Sequence, residues 1–120
     1  MSNLQHLPLY LSLYKLIIYL YNMVSNFPKS YKYTLGQNII DHSWEVIDGV
    51  IEANSLSNKL KEPVIRSASA SFDKLKLRLR MAHELKLINH KKFSFLIGRE
   101  EEIGKMLSGW LKWAKNSKSF

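Results

Sequence analysis

The sequence has no cysteine among its 120 residues, which excludes a disulfide framework, a thiol nucleophile and cysteine-ligated zinc. A reducing compartment is compatible with that absence, and the expected localisation is cytoplasmic. The five glycines are scattered, so no Gly-rich loop cradles a phosphate. No stretch alternates apolar and polar residues between turn signals, and strands are not expected. Two patterns that would carry chemistry in a helical protein are also missing: a Glu-x-x-His pair for a carboxylate-bridged metal, and a nucleophile elbow. No catalytic residue, metal site or cofactor is therefore expected.

Acidic residues are few, 10 against 18 Lys and Arg, giving a net charge of +8. The imbalance is uneven. Residues 1–58 carry three Lys and four acids, net −1, whereas residues 59–120 carry fifteen Lys and Arg and six acids, net +9. Such a surplus points to an anionic partner. The one long apolar run, Leu7 to Val24, approaches membrane-spanning length, but Lys15 interrupts it and no Lys or Arg precedes it. A secretory signal needs that leading positive charge, so neither export nor membrane insertion is expected.

The length suits one domain, residues 1–120, with a single core. Pro8 fits a helix first turn, and Leu9, Leu13, Leu16, Leu20 and Val24 follow at three- and four-residue steps, predicting a first helix over about 8–26. Pro28 stops it. Thr34 and Gln37 have the spacing of a capping box, and Leu35, Ile39, His42, Val46, Gly49, Val50 and Ala53 share one side of a second helix, about 30–55. Pro63 fits only the first turn of a third helix, about 60–87, with a stripe of Ala68, Phe72, Leu75, Leu79 and Ala82. Asn89 can cap a fourth, about 90–115, built on Phe93, Leu96, Ile103, Leu107, Trp110 and Ala114. Short connections make this an all-α, antiparallel up-down four-helix bundle.

Three helices keep apolar groups beyond their core stripe: Tyr10, Tyr14, Ile17, Ile18 and Tyr21 on the first, Ile40, Trp44, Ile47 and Ile51 on the second, Leu77 and Met81 on the third. A monomer would expose them, and Tyr14, Ile18, Trp44, Ile47 and Leu77 are the expected self-association surface. Asp41, Glu45, Asp48 and Glu52 form an acidic stripe that reads as a solvated or subunit-facing surface. His42 reads as a core histidine with no acid beside it at helical spacing. Basic groups expected to meet phosphates or a partner are Lys29 and Lys32 on the corner before the second helix, Lys74, Lys76, Arg78 and Arg80, Lys86, Lys91 and Lys92, and Lys105, Lys112, Lys115 and Lys118. They point several ways, which suits backbone contact rather than base reading. Trp113 and Phe120 are candidates for stacking on bases.

Two stretches, "FPKSYKYTLGQNI" and "EEIGKMLSGWLK", with the run "DKLKLRLRMAHELKLI" between them, resemble the accessory variability determinant (Avd) proteins of diversity-generating retroelements. The likeness runs from about Leu7 to Lys112. That group also includes four-helix bundles encoded in intervening sequences of 23S ribosomal RNA genes, and a bundle of that type without a polymerase partner is the alternative. The resemblance implies a homopentameric barrel that binds RNA or DNA and the element's reverse transcriptase, in support of mutagenic retrohoming. The residues carried over are Phe27, Pro28, Lys29, Ser30, Thr34, Leu35, Gly36 and Gln37 in the corner, and Ile103, Gly104, Met106, Leu107, Gly109 and Trp110 in the fourth helix. The sequence departs from the pattern at Tyr31 to Tyr33 and in the acidic run Arg99 to Glu102.

Overall fold

The computed structural model describes residues 7–117. Within them the chain is helical throughout, with four long helices and no strand. They are α1 (Leu7–Ser25), α3 (Gln37–Ser55), α4 (Asn58–Glu84) and α5 (His90–Ser117); a short turn, α2 (Lys29–Tyr31), and a π-helical turn, Lys32–Gly36, lead into α3. The helices pack side by side into a rod 50 Å long and 23 by 21 Å across. α3 lies between α1 and α4, and α5 between α4 and α1.

The expected stripes form the core. Leu9, Leu13, Leu16 and Leu20 of α1 meet Ile39, Val46, Val50 and Ala53 of α3, with Phe72, Leu75 and Leu79 of α4 and Leu96, Ile103 and Leu107 of α5. α1 is long and apolar enough by composition to cross a membrane, but its leucine side is spent on this core. Cross-links between helices fix antiparallel order. Trp44 Nε1 donates to Tyr21 Oη at 2.9 Å, Ser71 Oγ to Glu45 at 3.2 Å, and Arg78 Nε to Asn38 Oδ1 at 2.9 Å.

The starts and stops differ from expectation in three places. The second helix begins at Lys29, directly after Pro28, so Thr34 lies inside a helical segment and makes no capping box. Its hydroxyl instead donates back to the Ser30 carbonyl at 2.9 Å, and Gln37 donates to Asp41 at 2.8 Å. Gly36 is what lets this turn close on α1, because a Cβ there would lie 2.6 Å from Val24 Cγ1 and 3.4 Å from Phe27 Cδ2. The third helix begins at Asn58, so Pro63 sits beyond its first turn. Lys61, just before it, is only 2% exposed and donates to the carbonyls of Ala53 and Asn54 at 2.7 and 3.3 Å, closing the end of α3. Burial lowers its pKa.

α4 ends at Glu84 rather than near Leu87. Leu87 N–H bonds the Ala82 carbonyl and Lys86 N–H that of His83, both at 2.9 Å, with Lys86 at φ 63°. This is a Schellman turn, in which the left-handed residue is ordinarily glycine. Asn89 Oδ1 then accepts from Lys92 N–H at 2.8 Å and caps α5 as its position suggested. Because a side chain at positive φ costs about 1 kcal/mol, Lys86→Gly is expected to raise stability by about that amount in chemical denaturation, with an unchanged m-value.

Candidate nucleic-acid interface

Antiparallel order carries distant parts of the sequence to the same end of the rod. The end of α1, the turn that leads into α3, the α4–α5 turn and the start of α5 all lie there. Tyr19, Asn22, Met23, Asn26 and Lys92 line one shallow hollow across that junction. Lys29 is exposed on the lead-in turn, Lys86 on the α4–α5 turn, and Lys91 and Lys92 in the first turn of α5. Lys32, expected to be exposed, is half-buried. The corner is helical, so one side of it turns inward.

The other basic groups do not join this cluster as one patch. Lys74 is exposed, whereas Lys76 and Arg78 are half-buried. Arg78 binds Asn38 and the Lys74 carbonyl, Arg80 pairs with Glu84 at 3.1 Å, and Lys76 pairs with Asp73 at 3.4 Å and lies over the Phe72 ring. Lys112 and Lys115 are exposed near the far end of α5, about 30 Å from Lys91 at 1.5 Å per residue. Lys105 lies between, on a ridge that borders two grooves. Trp113 lines the one beside Pro8 and Trp110. Lys118 and Phe120 lie outside the described residues.

The apolar surface expected for self-association is partly redrawn. Tyr14, Ile18, Tyr21, Trp44 and Ile51 are exposed, but Ile47 is 3% exposed and belongs to the core, as do Ile17 and Ile40. The α1 and α3 packing faces are wider than one stripe, and these three fall inside them. Sequence reasoning missed Leu7 and Leu11, both exposed, which extend Tyr14, Ile18 and Tyr21 into a seam at alternating steps of four and three. That heptad spacing was the available signal. Leu77, 59% exposed, does not continue this surface. It borders a second groove with Tyr33, Leu35 and Met81, and α3 stands between the two. The acidic stripe runs along α3, each of its four residues exposed. His42 does have an acid beside it, contrary to expectation: its Nδ1 lies 3.0 Å from Glu45 Oε1, one turn on. The hydrogen bond from His42 is the main reason the Glu45 pKa is lowered.

The acidic run of α5 separates into two kinds of residue. Arg99 pairs with Glu102 at 3.1 Å and lies over the Phe95 ring, and Glu101 is exposed. Glu100 is buried, and its Oε2 has no hydrogen-bond partner. Burial pushes its pKa up to about 7, against a smaller opposing effect of Lys76. Among the described residues no three His, Asp or Glu side chains come together as metal ligands.

A family model described as bAvd-like matches residues 9–114, a span that takes in most of α1, the corner, and the length of the bundle to the last turns of α5. The chain belongs to the bAvd-like family. A search of curated proteins returns no match to it. Of the positions that carried the resemblance, Phe27, Gly36, Ile103, Leu107 and Trp110 are buried and act as architecture in this bAvd-like bundle. Gly109 is exposed, with nothing within 4 Å of where a Cβ would stand.

Glu100 gives the bAvd-like bundle a pH dependence of defined sign. The folded chain holds the proton more tightly than the unfolded chain, so stability should fall as pH rises from about 5 to about 8. The expected loss is about 2.5 kcal/mol: a rise from 4.5 to about 7 at 1.36 kcal/mol per pH unit gives about 3.4 kcal/mol, of which somewhat under 1 is already lost by pH 5. Denaturant titrations at pH 5 and pH 8 measure it, and Glu100→Gln should remove most of the difference.

Proposed function

We propose that this bAvd-like protein is a non-enzymatic accessory protein of a diversity-generating retroelement. In this reading it binds the element's reverse transcriptase and its template RNA or cDNA, and it works as a homopentameric ring in support of mutagenic retrohoming. The observation that carries the proposal is the basic end of the rod. Lys29, Lys86, Lys91 and Lys92 come from separate stretches of sequence and are gathered there by the fold. Backbone phosphates are the natural partner of lysines spread over a broad end. A ring would present that end once per subunit, and linked weak contacts gain by their shared geometry.

Two unlike apolar surfaces on one chain support assembly beyond a dimer. The α1–α3 seam and the Tyr33–Leu77–Met81 groove differ in shape and in neighbours. A contact between unlike patches passes from subunit to subunit and closes into a ring when the rotation allows. The acids of α3 border the seam and supply a surface for lysines of a neighbouring copy. Trp44→Asp places an unpaired charge in that contact. Light scattering should give a mass near five times 14.0 kDa for the parent and near 14.0 kDa for the variant, with helical circular dichroism unchanged. A parent that is monomeric at micromolar concentration overturns the ring.

The basic end is tested by reversing Lys29, Lys91 and Lys92 to Glu together, all three exposed. For single-stranded RNA the log-log salt slope should become shallower by about 2, since each lost phosphate contact accounts for about 0.7. Affinity near 0.1 M salt should fall more than tenfold, and pull-down of the reverse transcriptase should weaken if both partners use this end. RNA binding and salt slope equal to those of the parent would leave these lysines as solvation only.

A further inference from the structure

We infer that the groove between α4 and α5, where Glu100 meets Lys76, Gly104 and Lys105, is a subsite for a guanine base of a single-stranded nucleic acid. The inference rests on the nucleic-acid reading above and adds a base preference to it. The groove holds about 570 Å³ and is lined by Lys76, Ile97, Glu100, Glu101, Gly104, Lys105 and Ser108.

Three observations converge on this groove. The first is Glu100, which is only 9% exposed and whose Oε2 finds no partner within the chain. A buried carboxyl in that state is costly and is relieved by a ligand that donates hydrogen bonds. The second is Gly104, in the interior of a 28-residue helix where glycine is unfavourable. The fold does not demand it, because a Cβ there would meet only Phe72 Cε2, at an ordinary 3.8 Å. What the missing side chain provides is an open floor. The third is the pair of lysines lining the same groove, Lys76 from α4 and Lys105 from α5, placed to hold phosphates on either side of an inserted nucleotide.

The chemistry of the acceptor selects the base. A carboxylate offers two acceptor oxygens side by side; the Glu100 Oε2 is covered in the unliganded chain, and turning the carboxyl about its soft last torsion is the step that presents both oxygens to the groove. Guanine presents two parallel donors on its Watson–Crick edge, N1–H and the N2 amino group, whereas cytosine, adenine and uracil each pair one donor with an acceptor. Single-stranded bases can present that edge because they are not paired. The groups facing Glu100 are Lys76 on α4 and Glu101 and Lys105 on α5. Guanine favours the charged carboxylate, so its binding should release a proton and weaken as pH falls below about 7. Lysine contacts to phosphate are common to every strand, so they give no base preference.

The test uses the full chain and 12-nucleotide RNA strands of oligo(U) carrying three central guanosines or three central inosines, at fixed salt. Inosine lacks only the N2 amino group. At pH 8 fluorescence anisotropy should show the guanosine strand binding about tenfold tighter, the discrimination expected of a good bidentate pair, and the advantage should shrink at pH 6. Glu100→Gln should abolish the preference and leave oligo(U) binding unchanged. Gly104→Ala should reduce the preference while stabilising the helix, a combination that a purely structural glycine would not give. Competition by guanosine monophosphate at the same site would show that the base and one phosphate suffice; no competition, with the strand preference intact, assigns the site to the polymer. Equal binding of the two strands by the parent overturns the guanine subsite and leaves general nucleic-acid binding standing. No binding of any strand overturns both. If Glu100→Gln instead changes the mass in light scattering without altering strand preference, the groove takes a side chain of another copy and the guanine assignment is wrong.

Discussion

The close approach of α3 and α4 at Gly49 sets the geometry of the rest of the bundle. A Cβ at Gly49 would lie 2.9 Å from the Cβ of Ala68, so only glycine against alanine lets the two backbones come this near. With that spacing fixed, the cross-links fall into register on both sides of it. Lys61 reaches the end of α3, Ser71 reaches Glu45, and Arg78 reaches Asn38. The same approach brings α4 against α3 along most of its length, so α1 and α5 complete the core from the other side. Packing of this density makes a side chain's direction a consequence of register. The Lys61 cap is an example: one residue of shift would carry its ammonium away from the two carbonyls it serves.

Much of this was legible in the amino-acid sequence because the core obeys helical spacing. Phe72, Leu75 and Leu79 repeat as a buried stripe must, and each is buried. Asn89 could be read as a cap because a short polar side chain just ahead of an apolar periodic run has few other uses. What escaped was decided by neighbours in space. Ile47 and Ile17 looked outward on a single-stripe reading, yet two packed helices share a face wide enough to cover both. Thr34 and Gln37 matched a capping box by spacing, but Pro28, six residues before Thr34, had already started the helix, leaving Thr34 no free amides to cap. His42 was expected to have no acid at helical spacing, yet Glu45 stands three residues on, close enough for a hydrogen bond of 3.0 Å.

The candidate site was less legible for the same reason. Counting charges located the surplus in the second half of the chain, but it could not separate Lys61, buried as a helix cap, from Lys91, exposed in a first turn. Nor could it separate Glu100 from Glu101 and Glu102. All three read as one acidic run, and the helical turn of 100° per residue buries the first in the α4–α5 groove, leaves Glu101 exposed at that groove's edge and turns Glu102 to water beside Arg99. The basic end is implied by sequence only through the up-down order of the helices, which carries Lys29 and Lys92 to the same end of the rod.

The helices divide the work in a way that ties assembly to charge. α1 carries Lys15 as its only charged residue across 19 positions, and its outer seam is apolar, whereas most of the surplus charge lies on α4, α5 and the turn between them. In the proposed ring the first pair of helices would supply attraction between copies and the second pair would supply repulsion, since each copy brings +8. Like charges brought together oppose association unless counter-charges gather with them. A polyanion at the basic end would remove that opposition where it is largest. Ring closure and nucleic-acid binding would then favour each other by linkage, each raising the affinity of the other by the same factor. No contact between the seam and the basic end is needed for that coupling, only their presence on one rigid rod.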